Sequence, residues 1–277
     1  MIDLCIAALQ FTSTISWQDN LHKVKCLIAS AAKDGARLIV LPENVFLFHG
    51  KGMRNLAESN DQKLLLKEIS NLARSYSIYL VVGSHPSLLR PDGDMVTDNR
   101  VRQTCWVVGP DGLFIERYDK IHLFDVTVDD KAASYKESNF IEPGEKALKV
   151  IDVDGFKIGL SICYDLRFPE LYRELTKLGA EVLLVPAAFT YVTGKAHWDI
   201  LLAARAIENQ CYVLGVGQCG WHNETRQTYG HSVLYSPFGE RLADLQEEPG
   251  YFVFNITKSV LSDCRQKMPC FSHRRLP

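Results

Sequence analysis

KVIDVDGFKIGLSICYDLRFPEL (residues 149–171) carries two folding instructions in succession. First come two apolar runs around Asp154-Gly155, a dipeptide that turns a β-hairpin. The run from Ile158 to Ile162 then turns polar at Cys163 and passes through Tyr164, Asp165 and Arg167 into the helical segment FPELYRELTKLGA. Hairpins mixed with strand–helix alternation point to sheets that are part parallel and part antiparallel. The same stretch poses a chemical question. Cys163 is either a packed core thiol or a nucleophile held where a strand ends.

The rest of the chain repeats this mixture. WQDNLHKVKCLIASAAKDG (17–35) puts Leu21, Val24, Leu27, Ile28 and Ala31 at helical spacing, with Ser16 as N-cap and Gly35 as stop. ARLIVLPE follows as an apolar strand, QKLLLKEISNLARSY as a helix and IYLVVGS as a strand. RQTCWVVGPDGLFIERYDK reads as a hairpin around Pro110-Asp111-Gly112, and HSVLYSPFGERLADL as another around Pro237-Phe238-Gly239. Between them lie strand EVLLVPAAF, helix KAHWDILLAARAIENQ and strand CYVLGVGQC. Strands that are apolar throughout need cover on both faces. The expected architecture is two stacked sheets with helices outside, in one domain over residues 1–277. The polar stretch at 127–145 is a long loop of the kind that serves function.

Composition narrows the partners. Of 277 residues, 47% are hydrophobic and 23% charged, with a net charge of −2. No basic surface is advertised and HRRLP is too short for a nucleic-acid arm, so nucleic acid is not expected as a partner. MIDLCIAALQF reads as a first strand, not a leader, and no apolar run approaches the ~20 residues of a membrane span. A soluble, cytoplasmic protein with no membrane partner is expected. The eight cysteines form no C-x-x-C pair and no zinc pattern, so no metal is expected. The ordinary reading of Cys5, Cys26, Cys105 and Cys211 is a reduced, buried small hydrophobe.

Five apolar segments end alike: LIVLPE, LVVGS, LSICYD, LLVPAA and LGVGQC. Each turns small or polar at its C-terminal end, the edge where α/β sheets bind ligands. Two of these ends carry reactive groups, Glu43 and Cys163, and Lys120 ends the run LFIERYDK. Singly, a helix-capping glutamate, a solvated lysine and a core cysteine would explain them. Jointly they make chemical sense. A thiol with an ordinary pKa near ~8.5 needs a base, Glu43 can take its proton, and Lys120 can hold an oxyanion. Histidines 122, 197, 222 and 231 keep a Cys/His arrangement open, although none sits in a context that marks it as the base.

VLPENVF with Glu43, RYDKIHLFDV with Lys120 and GLSICYDLRFPEL with Cys163 occur in one order and resemble the nitrilase, or carbon–nitrogen hydrolase, superfamily. The resemblance runs from IAALQF to FSHRR, and ESNFIEPG resembles the loop of a second glutamate, here Glu137. It implies an α/β fold, a four-layer αββα sandwich whose subunits pair through helices into an αββααββα homodimer. It also implies roles: Cys163 as nucleophile, Glu43 as base, Lys120 and the Tyr164 N–H as oxyanion donors, and Glu137 orienting the attack. The implied reaction is thiol amidohydrolysis through a thioester, with release of ammonia and with no cofactor.

PAAFTYVTGKAHWDILLAARAIENQCYVLGVGQCG and YGHSVLYSPFGE are most similar to the Nit branch, which holds the deaminated-glutathione amidases and the ω-amidases acting on α-ketoglutaramate. QCGWHNETRQTYGHS and MPCFSHRR look closer to the former; N-carbamoyl amidohydrolases and nitrilases share the same triad. One departure is Ala203, where the family usually has an arginine; Arg205 is present. A small amide with two carboxylates would want cations and hydrogen-bond donors. Arg167, Lys195, His197 and Arg226 are candidate cations, with a structural pairing to Asp165 or Glu170 as the alternative for Arg167 and a solvated loop favoured for Arg226. Thr190 and Thr193 are candidate donors, with helix capping as their alternative.

Overall fold

The computed structural model describes residues 3–276. The first half runs β1 (Asp3–Gln10), α1 (Trp17–Lys33), β2 (Leu38–Val40), α2 (Met53–Glu58), α3 (Asn60–Tyr76), β3 (Tyr79–Ser87), β4 (Arg102–Val108) and β5 (Phe114–Asp119). A small hairpin, β6 (Asp125–Thr127) and β7 (Ser134–Lys136), bridges to β8 (Val150–Val153), β9 (Phe156–Leu160), α4 (Pro169–Lys177), β10 (Val182–Ala187), α5 (Tyr191–Asn209) and β11 (Tyr212–Gly217). The chain closes with hairpin β12 (Cys219–Trp221) and β13 (Gln227–Tyr229), then β14 (Val233–Tyr235), β15 (Arg241–Asp244), β16 (Gly250–Thr257), α6 (Lys258–Lys267) and α7 (Cys270–His273).

Two six-stranded sheets result, ordered β16-β1-β2-β3-β4-β5 and β15-β14-β11-β10-β9-β8. The centre of each is parallel, β1-β2-β3 in one and β9-β10-β11 in the other. The flanks are antiparallel, and the β4–β5, β8–β9 and β14–β15 hairpins turn where the Gly-containing dipeptides and tripeptides predict. Period-two alternation sorts the side chains into layers. Ile6 and Ala8 of β1, with Leu38 and Val40 of β2, pack in the cluster shared with the second sheet. Their neighbours Ala7, Leu9 and Ile39 pack instead with Val24 and Ile28 of α1 and Leu65 and Ile69 of α3. On the far side, Trp198 and Leu202 of α5 and Leu175 of α4 cover the second sheet. The order is helix, sheet, sheet, helix, and each fully buried Leu or Ile contributes roughly 1.5–3 kcal/mol.

Capping follows the sequence in part. Ser16 Oγ accepts from Asp19 N at 3.3 Å, and Gly35 follows α1 in the left-handed region at φ 92°. The helix expected from Lys195 starts four residues earlier, because Thr190 Oγ1 accepts from Thr193 N and caps it. Lys195 and His197 therefore sit on an exposed stretch of α5, not at its mouth. Cys26 is exposed on α1, unlike the buried Cys105 and Cys211; all eight thiols are free.

The parallel strands bring their C-terminal ends to one edge. There Gly83 of β3 lies so close to the turn after β2 that a Cβ would fall 2.0 Å from Leu41 O and 2.5 Å from Pro42 O. Only glycine lets the two strands approach this closely.

Candidate active site

Glu43 leaves the end of β2 and is 3% exposed, and Lys120 leaves the end of β5 and is 1% exposed. The Lys120 backbone is pinned on both sides, its N–H donating to Gln103 O at 2.9 Å and its carbonyl accepting from Gly144 N at 2.7 Å. Its Nζ donates to Glu43 Oε1 at 2.7 Å and to Glu137 Oε1 and Oε2 at 2.8 and 2.9 Å. Glu43 Oε2 accepts from Ala188 N at 2.8 Å, and Glu137 Oε2 from Phe124 N at 2.7 Å. Burial works against the Lys120 charge, but the carboxylates of Glu137 and Glu43 outweigh it and hold the ammonium well above the ordinary lysine range. Burial also raises Glu137, with Lys120 opposing.

Cys163 meets this pair from the other sheet. It follows β9 and adopts φ 48°, a left-handed conformation that costs a non-glycine residue about 1 kcal/mol or more. Its neighbours hold the turn. Asp165 accepts from Ile162 N at 2.9 Å, Tyr118 Oη at 2.6 Å, and His122 N and Nδ1 at 3.1 and 2.7 Å. Arg205 donates from Nε and Nη2 to Leu166 O at 3.2 and 2.8 Å. Burial, then the charge of Glu43, push the Cys163 thiol well above its ordinary range, while Lys120 pulls it back. The thiol is therefore neutral at pH 7, with a carboxylate beside it to take its proton as it attacks.

These groups line a cavity of about 360 Å³. Of the sequence candidates, Glu43, Lys120, Glu137, Cys163, Tyr164, Thr190 and Thr193 are on its wall. Arg167 and His197 are not. They engage each other, Arg167 Nη1 donating to His197 Nδ1 at 3.2 Å, with the guanidinium over the rings of Phe189 and Tyr164. Asp165, weighed as a partner for Arg167, is fully occupied in the turn below Cys163. Histidines 122, 197, 222 and 231 all lie outside the lining; the exposed His49 is at the rim. Among the described residues no cluster of His, Cys, Asp and Glu could hold a metal ion.

The carbon–nitrogen hydrolase family matches residues 5–266. This chain belongs to that family. It is a hydrolase of carbon–nitrogen bonds. A Synechocystis protein named deaminated glutathione amidase is 41% identical over 270 residues, 97% of each chain. The Caenorhabditis elegans NitFhit crystal structure superposes with a TM-score of 0.90 at 35% identity, covering 99% of this chain and 65% of that longer one. The E41L mutant of an amidase from Nesterenkonia sp. AN1, with a TM-score of 0.79 and 27% identity over 97% of each chain, shows covalent addition of the acetamide moiety of fluoroacetamide at the active site cysteine. The αββα sandwich expected from sequence is thus the fold of the family.

As a carbon–nitrogen hydrolase, the chain presents three groups that sequence reasoning missed or misplaced. Arg226, expected in solvent, lines the cavity and donates from Nη2 to Ala188 O at 2.7 Å. Its position in a turn after a polar run hid it, since nothing local shows that the β12–β13 arm folds back over the site. Arg205 and Asp165 hold the cysteine turn, and a buried arginine in the middle of an apolar helix face was the available signal for the first. Ala203 is partly buried and packs against the core. Among the described residues no helix is long and apolar enough to cross a membrane.

Proposed function

We propose that this chain is a thiol amidase that hydrolyses the amide of deaminated glutathione. The observation that carries it is the buried Lys120 held between Glu43 and Glu137 beside Cys163, in a cavity large enough for a tripeptide-sized ligand. Relatives bearing that activity's name along nearly the whole chain support the substrate.

Cys163 Sγ attacks the amide carbonyl while Glu43 takes the thiol proton. The oxyanion is held by Lys120 Nζ and the Tyr164 N–H. Glu43 returns the proton to the amide nitrogen, the C–N bond breaks and a thioester remains. Water enters, Glu43 deprotonates it, and the C–S bond breaks to release the acid and the thiol. Glu137 fixes the Lys120 ammonium throughout.

Chemistry corrects one expectation. In deaminated glutathione the amide nitrogen is that of cysteinylglycine, so the dipeptide leaves with 2-oxoglutarate as the acid. Ammonia leaves only from a primary amide such as α-ketoglutaramate.

The cytoplasm, a single hydrolase domain and a homodimer complete the proposal. Eight free thiols fit a reducing compartment. Ile200 and Ile207, one heptad apart on α5 and 70% and 54% exposed, offer an apolar stripe for helix pairing.

The test is turnover of deaminated glutathione, read as equimolar cysteinylglycine and 2-oxoglutarate, with a 2-oxoglutaryl adduct on Cys163 after acid quench. A higher kcat/KM for α-ketoglutaramate would replace this reading with an ω-amidase.

A further inference from the structure

Glu137 reaches Lys120 from a segment with little regular structure of its own. Residues 137–144 make a single 3₁₀ turn, Glu137–Asn139, and then run as irregular backbone apart from an isolated bridge at Ile141. This strap nonetheless touches Lys120 at both ends. Glu137 Oε1 and Oε2 accept from Lys120 Nζ at 2.8 and 2.9 Å, and the Gly144 N–H donates to the Lys120 carbonyl at 2.7 Å. A segment without helix or strand must be fixed from outside, or it opens locally.

The backbone at the start of β4 supplies part of that fixing. Val101 N donates to Phe140 O at 2.9 Å, and Glu142 N donates to Val101 O at 2.8 Å. The Glu137 carbonyl accepts from Phe140 N and Ile141 N, each at 2.9 Å. The turn that aims Glu137 is therefore tied directly to the residues docked on Val101.

Side chains supply the rest, and they converge on one carboxylate. Arg90 meets Glu142 with a fork, Nε donating to Oε1 at 2.8 Å and Nη2 to Oε2 at 3.0 Å. Arg102 Nη2 lies 2.6 Å from the same Oε1, and its Nη1 donates to Pro143 O at 2.6 Å. Arg100 Nη2 stands 3.9 Å from Oε2. The hydrogen bonds from Arg90 outweigh burial and, with the charge of Arg102, keep the Glu142 carboxyl below the usual range and ionised at neutral pH. Exposed ion pairs contribute little, but the Glu142 and Arg102 side chains are only 13% and 4% exposed and the contact with Arg90 is bidentate. Glu142 is not on the cavity wall, so it acts on the site only through the strap.

We propose that Glu142 is a positioning residue of the site: by binding Arg90 and Arg102 it docks the strap on β4 and so aims Glu137 at the Lys120 ammonium. This rests on the amidase reading above. A loosened strap lets Glu137 part from Lys120, which raises the transition state more than it weakens substrate binding.

The experiment measures kcat and KM for deaminated glutathione in wild type, Glu142→Gln, Glu137→Gln and the double variant. Glu142→Gln lowers kcat about 10-fold and leaves KM within about twofold, because small displacements of a catalytic group are costly. In the Glu137→Gln background the same change costs less than about twofold, since the carboxylate being aimed is already gone. A further tenfold loss in that background would overturn the proposal, because general loosening or loss of folded protein multiplies through either background. An unchanged kcat in Glu142→Gln would overturn it too. Should Glu142→Gln fail to fold, Arg90→Gln removes the fork and leaves Arg102 in place; its loss of about threefold in kcat must show the same dependence on Glu137, and an additive or absent loss overturns the proposal. Failure of the amidase reading looks different, because wild type would then release no cysteinylglycine. The same four proteins are in that case compared on α-ketoglutaramate, whose hydrolysis calls on the same ammonium.

Discussion

The floor and the wall of the cavity are built on opposite plans. On the floor, Glu43, Lys120, Glu137 and Cys163 leave elements of the two packed sheets or the loop between them, and the Lys120 ammonium donates to both carboxylates. On the wall, Arg226 and Tyr135 ride on hairpins outside the sheets. Such a floor treats every amide alike. A wall carried on hairpins sets which ligands fit. Floor substitutions should therefore lower turnover of all substrates, while wall substitutions should alter choice among them.

Cys163→Ala has the largest expected effect, a loss of about 10⁴-fold or more in turnover of every amide. Product release within tenfold of wild type would break the floor's assignment. Glu43→Gln comes next, at about 10²- to 10⁴-fold in kcat. Glutamine can still accept from Lys120, but it cannot take a proton and its NH₂ meets the Ala188 N–H. Should His122→Gln and His222→Gln each stop turnover while Glu43→Gln does not, the base is a histidine.

Lys120→Met tests the floor's electrostatics. It leaves two buried carboxylates facing each other, a destabilisation of about 3–5 kcal/mol by chemical denaturation at pH 7. The folded pKa of Lys120 is raised, so its contribution is full below the unfolded value of about 10.4 and is lost as pH rises through the folded one. The gap between wild type and variant should stay constant from pH 8 to 10 and narrow only above that. A gap that closes by pH 9 would contradict the ion pairing.

Gly83→Ala pushes a methyl into Leu41 O and should cost about 1–3 kcal/mol, with a loss of activity exceeding the loss of fold because Glu43 moves with that turn. Wild-type activity in a stable Gly83→Ala protein would separate the two. The smallest effect is on the wall. Thr190→Val removes the α5 cap at about 1 kcal/mol and should raise KM more than it lowers kcat.

Much of the floor was readable without coordinates. Glu43 and Cys163 stand where apolar runs turn polar, and a parallel sheet puts such ends on one edge. Lys120 followed from the same rule after a hairpin strand. Arg226 and the beginning of α5 were not readable. The first depends on an arm folding back across the site. The second depends on the Thr190 cap, which starts α5 at Tyr191, before the apolar helical pattern becomes clear. The contact between Arg167 and His197 was not readable either, since it joins two elements 30 residues apart.

Local pattern alone determined the strands, the hairpin turns and the chemical types gathered at the sheet edge, because alternation and turn geometry act over a few residues. Tertiary structure decided which charges meet, since β2 and β9 come face to face only when the two sheets stack. It also decided which side chains wall the cavity, because Arg226 reaches it only once the β12–β13 arm has folded back over the sheet edge.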